Sequence, residues 1–341
     1  MERLNVALVV DNEVFGGAEA YVRRLLRFLP DWVVPSLVVG ENLAGAFPER
    51  LPVQIVAPAV RAVWAPQIEN ALRALGPDVV LVNLADAGMN LAAMQAAEAV
   101  APTVATLHRT GGAPVSSAVW DCYRRLAGAL APSRIVEARL RELGVPAERV
   151  TRIPPGVEIP PEPVAHPDRT PVVIGAIGGV TGLDLLPAVA TLRRRGREVR
   201  VLVAGDGRDL AERARGLPVR FVGRLPEVSA FLRELDVVCL PSRRDTLSLA
   251  VLEAMAHGLP CVTTAVGETV EELAGAAMIV PPGEPAALAE ALDRVSTDGA
   301  LRRKLAAAAR AKAEHDFDVR RMARETADAL AAAHALSGSA R

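Results

Sequence analysis

Short β-branched runs alternate with longer helix-patterned stretches, twice over, and this alternation constrains the chain more than any other feature. Leu4–Val10 is an apolar run of buried-strand type. Ala18–Leu29 follows, with Tyr21, Val22, Leu25, Leu26 and Leu29 at helical spacing. Val34–Val39, Val53–Val56, Val79–Asn83 and Thr103–His108 read as further strands. Helical patterns lie at Pro66–Leu75, Leu91–Val100, Ser116–Arg125 and Arg134–Leu143. Strands separated by helices build βαβ units, and these make a parallel sheet.

The pattern then breaks at Pro154, Pro155, Pro160, Pro161, Pro163, Pro167 and Pro171. Proline fixes φ and lacks an N–H, so this stretch can be neither regular helix nor central strand. Beyond it the alternation restarts: Val172–Ile177, Val199–Ala204, Val219–Val222, Val237–Leu240, Cys261–Thr264 and Ala277–Val280 read as strands. Helices are expected between them, then at Pro285–Val295, Leu301–Glu314 and Val319–Ala333. The predicted class is α/β, with two doubly wound Rossmann-like domains facing a cleft. The expected division is an N-terminal domain over 1–160, a proline-rich linker over 161–171 and a C-terminal domain over 172–315. Residues 316–335 form a last helix. Doubly wound sheets bind ligands beyond the strand C-termini.

Composition narrows the function. With 341 residues, 51% of them hydrophobic, each half can bury a sizeable core. The 39 basic and 40 acidic residues nearly cancel, which argues against a nucleic-acid binder. The basic residues are almost all arginine; the lysines are Lys304 and Lys312. Cys239 and Cys261 sit in strand-like runs and read as buried free thiols. No Cys/His cluster suggests zinc, so no metal is expected. The N-terminus lacks the pattern of a signal peptide, and no apolar stretch is long enough to span a bilayer. A reducing cytoplasm is the expected location. The richness in alanine, proline and arginine suggests a bacterial genome.

Four places could carry chemistry. Gly16 and Gly17 precede the first helix, where backbone can approach an anion; a plain turn with Glu19 in the first helical turn is the other reading. His108 ends a strand and is followed by Arg109; it is a proton donor or acceptor in a ligand crevice, or a histidine bonded to a loop carbonyl. Gly205 and Gly223-Arg224 end strands and leave room for a base or phosphate, or simply turn. Finally, a polar loop after Leu240 leads into an apolar helix starting near Ser248. That helix carries Glu253 among Leu252, Ala254 and Met255 and stops at Gly258, with Pro260 beyond. A carboxylate there needs a partner: ribose hydroxyls, or an internal arginine.

This last segment resembles the donor-site signature of retaining GT-B glycosyltransferases, particularly family 4. Asp245 and Glu253 hold the two acidic positions, followed by Ala254-Met255-Ala256-His257-Gly258-Leu259-Pro260. Other segments agree in order: Gly16-Gly17-Ala18-Glu19, His108, Ala131-Pro132-Ser133, Pro155-Gly156-Val157-Glu158, Gly205-Asp206-Gly207, Phe221-Val222-Gly223-Arg224, Val266-Gly267-Glu268 and Val280-Pro281-Pro282-Gly283. The resemblance implies a nucleotide-diphosphate sugar as donor, transfer to an unidentified acceptor, and no metal or other cofactor. Glu253 would bind ribose hydroxyls, and backbone N–H groups around Leu247, Ser248 and Leu249 would cradle the diphosphate. Asp245 would contact the donor sugar, and His108 with the Gly16-Gly17 loop would face the reacting centre. The last helix would return to the N domain.

The sequence departs from the family at the diphosphate. The family's arginine and lysine in the first C-domain loop align with Ala176 and Thr181, and Asp245 shortens the usual glutamate. Arg109, Arg208, Arg243 and Arg244 are the candidate replacements. The alternatives are an unusual donor, or an inactive pseudo-glycosyltransferase that binds nucleotide or a partner protein.

Overall fold

The computed structural model describes residues 3–10, 15–47, 51, 53–56, 64–111, 116–165, 170–177, 182–205, 208–225, 227–243 and 247–338, with the backbone alone at 53–56, 64, 182–183 and 208–209. The chain forms two compact units, Met1–Gly156 with Val319–Arg341, and Val157–Asp318.

In the first unit β1 (Leu4–Val10), α1 (Gly17–Phe28), β2 (Val33–Gly40), β3 (Val53–Val56), α2 (Trp64–Leu75), β4 (Val79–Asp86), α3 (Leu91–Glu98), β5 (Thr103–Arg109), α4 (Ser117–Arg125), β6 (Gly128–Ala131), α5 (Arg134–Glu142) and β7 (Val150–Arg152) follow one another. The strands pair in parallel in the order β3-β2-β1-β4-β5-β6-β7. Alternate residues of a strand face opposite sides. Ala7 and Val9 therefore join the core under α2 to α5, while Leu4, Val6, Leu8 and Val10 join the core under α1.

The second unit runs β8 (Val172–Ile177), α6 (Gly182–Arg194), β9 (Val199–Ala204), α7 (Arg208–Ala211), β10 (Val219–Gly223), α8 (Ser229–Leu232), β11 (Val237–Leu240), α9 (Leu249–Ala256), β12 (Cys261–Thr264), α10 (Thr269–Leu273), β13 (Met278–Val280), α11 (Pro285–Thr297) and α12 (Gly299–Asp316). Its parallel sheet has the order β10-β9-β8-β11-β12-β13. Cys239 and Cys261 are buried free thiols in β11 and β12.

The final helix, α13 (Val319–Gly338), belongs to the first unit. Val319, Met322, Ala323, Thr326, Ala327, Leu330 and Ala333 repeat at helical spacing and are all buried. Its apolar members enter the core beneath α1. The expected linker differs from the structure. The division runs at Gly156, and residues after it pack on the second unit. Val164 N–H donates to the His257 carbonyl (2.7 Å), and the Pro160 carbonyl accepts from Arg310 Nη2 (2.7 Å). Prolines barred from helix and sheet still lay their carbonyls and rings against a core.

Each sheet contains one place where successive connections leave in opposite directions: between β1 and β4 in the first unit, and between β8 and β11 in the second. Such switch points open a crevice at the strand C-termini.

Candidate functional site

At the first switch point the chain leaves β1 and enters α1 through Gly16, the N-cap residue. Gly16 N–H donates to Glu19 Oε2 at 2.7 Å, so the buried Glu19 carboxylate serves the helix start. Among the described residues, a Cβ at Gly17 would meet nothing within 4 Å.

His108 lies on the α1 side of the sheet. Its Nε2 is 2.8 Å from Asn83 Oδ1, and its ring meets Tyr21 edge-on at 4.9 Å between centroids. Asn83 Nδ2 donates to the Ala18 carbonyl at 3.2 Å, in the first turn of α1. Tyr21 Oη pairs with Thr326 Oγ1 of α13 at 3.3 Å. Burial, with the neighbouring Arg109 charge, lowers the His108 pKa to about 4, so the ring is neutral at pH 7. Arg109 is exposed, and its Nε donates to the Ala85 carbonyl at 3.3 Å.

At the second switch point α6 begins after β8, and the loop after β11 passes beside it. Asp184, in the first turn of α6, is buried and holds Arg243 with a two-pronged ion pair: Arg243 Nε to Oδ2 at 3.0 Å and Nη2 to Oδ1 at 2.7 Å. The Arg243 side chain keeps 53% of its surface exposed. The loop is anchored by Thr264 Oγ1, which donates to the Ser242 carbonyl at 2.5 Å. Ala176, at the position expected to lack a cation, is fully buried in β8.

Downstream, Leu247 is buried and Ser248 is the N-cap of α9, with no side-chain bond to its own helix. The leading N–H groups of a helix have no partner within it, and the dipole favours an anion there. Leu249, Ala250 and Glu253 are the partly buried positions of α9, sharing one face, while the rest of the helix is buried. Gly258 takes φ +73° just after the C-cap, as expected for a helix stop. His257 fixes that end: Nδ1 is 2.7 Å from the Glu253 carbonyl and Nε2 is 2.9 Å from Ser229 Oγ. Burial lowers its pKa, so the neutral ring donates through Nδ1 and accepts from the serine.

Gly205 and Gly223 meet through the Gly205 N–H, which donates to the Gly223 carbonyl at 2.8 Å; both have positive φ, and Arg224 beside them is exposed. Asp245, Arg244 and Thr181 lie outside the described residues, and Arg208 is described in backbone only. The sequence reading missed Asn83, Tyr21, Thr326 and the bracing role of Asp184. Asn83 had one visible signal, an amide inside an otherwise apolar strand. Among the described residues no three His, Cys, Asp or Glu side chains gather as a metal site, and no helix is long and apolar enough to cross a membrane.

Two families match the chain. Glycosyltransferase Family 4 matches residues 15–159, and Glycosyl transferases group 1 matches residues 170–298. A glycogen synthase from Mycobacterium tuberculosis is 35% identical over 161 residues, covering 44% of this chain and 39% of that protein. A phosphatidyl-myo-inositol mannosyltransferase from Mycobacterium leprae is 26% identical over 339 residues, covering 90% and 87%. The crystal structure of HepE from Anabaena in complex with UDP superposes with a TM-score of 0.77 at 19% identity, covering 97% of this chain and all of that one.

Proposed function

We propose that the chain is a glycosyltransferase of GT-B fold, since its two halves match two glycosyltransferase families, and that it moves a sugar from a nucleotide-diphosphate sugar to an unidentified acceptor, with retention and without a metal. One observation carries the reading: the second unit's switch point holds a half-exposed guanidinium braced by a buried carboxylate. Arginine offers a planar fork suited to phosphate oxygens. With Nε and Nη2 committed to Asp184, Arg243 Nη1 has no hydrogen-bond partner among the described residues and is offered to a ligand.

In this reading the second unit takes the nucleotide. Glu253 accepts the ribose hydroxyls, the open face of α9 and its leading N–H groups at Leu247, Ser248 and Leu249 receive the diphosphate, and Asp245 contacts the donor sugar. Gly205 and Gly223 leave room for the base beside Arg224. As the bond from the sugar C1 to the diphosphate breaks, negative charge grows on the leaving group. Donors aimed at that charge lower the barrier. Arg243 supplies what Ala176 and Thr181 do not, with Arg109, Arg208 and Arg244 as further candidates. His108 and the Gly16-Gly17 loop serve the reacting sugar.

The test is a panel of nucleotide sugars followed by thermal shift, since a ligand binding only the folded chain stabilises it by mass action. The best binder is then assayed for diphosphate release with sugar acceptors. The uncharged Ala176 and Thr181 favour one second reading, a nucleotide-binding relative without turnover. Stabilisation with no release under any acceptor selects it. No stabilisation by any nucleotide sugar removes the transferase reading.

A further inference from the structure

The hydrogen bonds around His108 settle which of its nitrogens carries the proton. A backbone carbonyl can only accept, so the Asn83 atom facing the Ala18 carbonyl is its amide nitrogen. That orientation turns Asn83 Oδ1 toward His108 Nε2, 2.8 Å away. An amide oxygen also only accepts, so Nε2 must bear the hydrogen. In a neutral imidazole the other nitrogen is then a bare lone pair. Among the described residues Nδ1 has no hydrogen-bond partner, and His108 is only partly buried. The Tyr21 ring, packed edge-on and tied to Thr326, holds the imidazole plane.

We infer that Asn83 is a positioning residue that locks His108 as its Nε2–H tautomer, so that Nδ1 accepts a hydrogen bond from a hydroxyl of the bound sugar. This rests on the proposed transferase reading for the identity of the ligand, though not for the tautomer. A lone pair at Nδ1 repels phosphate and carboxylate oxygens and selects O–H or N–H donors. In a nucleotide sugar the donors are the hydroxyls and the N–H groups of the base, and the proposed function assigns the base and the ribose to the second unit, which leaves the hydroxyls of the transferred sugar. The neighbouring charges do not reverse this: Arg109 disfavours the imidazolium, and burial keeps Tyr21 a neutral phenol.

Asn83 itself is 1% exposed and also holds the first turn of α1, the turn that follows the Gly16-Gly17 loop. One amide thus sets the histidine proton and the position of the loop together.

The experiment is nitrogen NMR of the isotope-labelled full chain at neutral pH, with the His108 signals identified by their loss in H108Q. The expected result is an unprotonated Nδ1 and a protonated Nε2. A protonated Nδ1 in the unchanged protein overturns the inference without touching the transferase reading. N83D keeps an acceptor at Nε2 and adds a negative charge, so it should raise the His108 pKa by roughly 1–3 and protonate Nδ1 as pH falls toward neutrality. N83L removes the acceptor and should leave a mixture of tautomers; if it does not fold, N83D and the unchanged protein carry the test.

Titration with UDP-glucose, or with GDP-mannose if only the latter raises Tm, should move the Nδ1 resonance. With the stabilising donor, N83D should raise KM by roughly ten-fold with a smaller change in kcat. A thermal shift with an unmoved Nδ1 overturns the hydroxyl contact and leaves donor binding standing. No thermal shift with any nucleotide sugar defeats both the transferase reading and the hydroxyl contact, while the resonance of Nδ1 still judges the role of Asn83.

Discussion

The two switch points occupy equivalent places in their sheets and are built from opposite materials. In the first unit three uncharged side chains meet, an imidazole below its usual pKa, an amide and a phenol, beside a helix start where Glu19 accepts from the Gly16 N–H. In the second unit a full ion pair stands at the crevice, with Asp184 buried and Arg243 half open to solvent. The geometry of doubly wound sheets makes a crevice in both cases; the side chains decide what each can hold. A neutral acceptor suits hydroxyls, and a braced guanidinium suits a phosphate. The division of labour in the proposed function follows from that contrast.

The contrast breaks most visibly at Arg243. R243A should cut turnover by about 10²–10³, the loss typical of removing one transition-state donor, while nucleoside binding changes little. R243K keeps a charge but cannot span both Asp184 oxygens, so partial recovery is expected. Steady-state kinetics beside nucleoside calorimetry decide it. Equal losses in kcat and in nucleoside affinity would mean that Arg243 only shapes the loop.

A smaller effect is expected at Glu253. E253Q exchanges charge-assisted bonds to ribose for neutral ones, so nucleotide affinity should fall by about 1–3 kcal/mol. Calorimetry with UDP and GDP measures it. A lowered Tm without ligand would show instead that the carboxylate serves the second unit's core.

How much of this was legible beforehand follows sequence distance. The strand–helix alternation exposed β1 to β5, and the signature around Glu253 announced α9 with its N-cap at Ser248 and stop at Gly258. The short β6 and β7 escaped, because Gly128–Ala131 is glycine and alanine and Val150–Arg152 spans three residues; neither has the β-branched length that marks a strand. Asn83 and His108 are 25 residues apart, and Asp184 and Arg243 are 59 apart. Only the orders β1-β4-β5 and β8-β11 bring those pairs together. Arg243 taken alone read better as a solvated loop charge, since nothing local names Asp184 as its partner.

Acid should separate the two crevices. His108 has a folded pKa of about 4 against an ordinary 6.5. Between those values the unfolded chain takes up a proton that the folded chain refuses, so stability is full above pH 6.5, falls as pH drops toward 4, and levels off below. His257 is shifted in the same direction. H108Q should therefore flatten, without abolishing, the fall in Tm between pH 6.5 and 4. The guanidinium of Arg243 does not titrate in that range, so R243A should leave the slope unchanged. A slope that H108Q does not alter would mean that His108 is free to charge in the folded chain.

The mildest test is Gly17. Among the described residues nothing lies within 4 Å of its Cβ position, and its φ lies outside the left-handed region, so alanine is accommodated. Replacing glycine at a compatible position narrows the unfolded ensemble and should stabilise the chain by about 0.4–1 kcal/mol. The added methyl would occupy the space beside the α1 backbone that the proposed function assigns to the reacting sugar. G17A should therefore hold or raise Tm while lowering kcat/KM with the best nucleotide sugar. The corresponding change in the second unit, G223A, falls at φ +79° and should cost stability through backbone strain whatever it does to binding. If G17A raises Tm and leaves kcat/KM untouched, the glycine is a turn residue and the first unit's share of the site reduces to His108 and its amide.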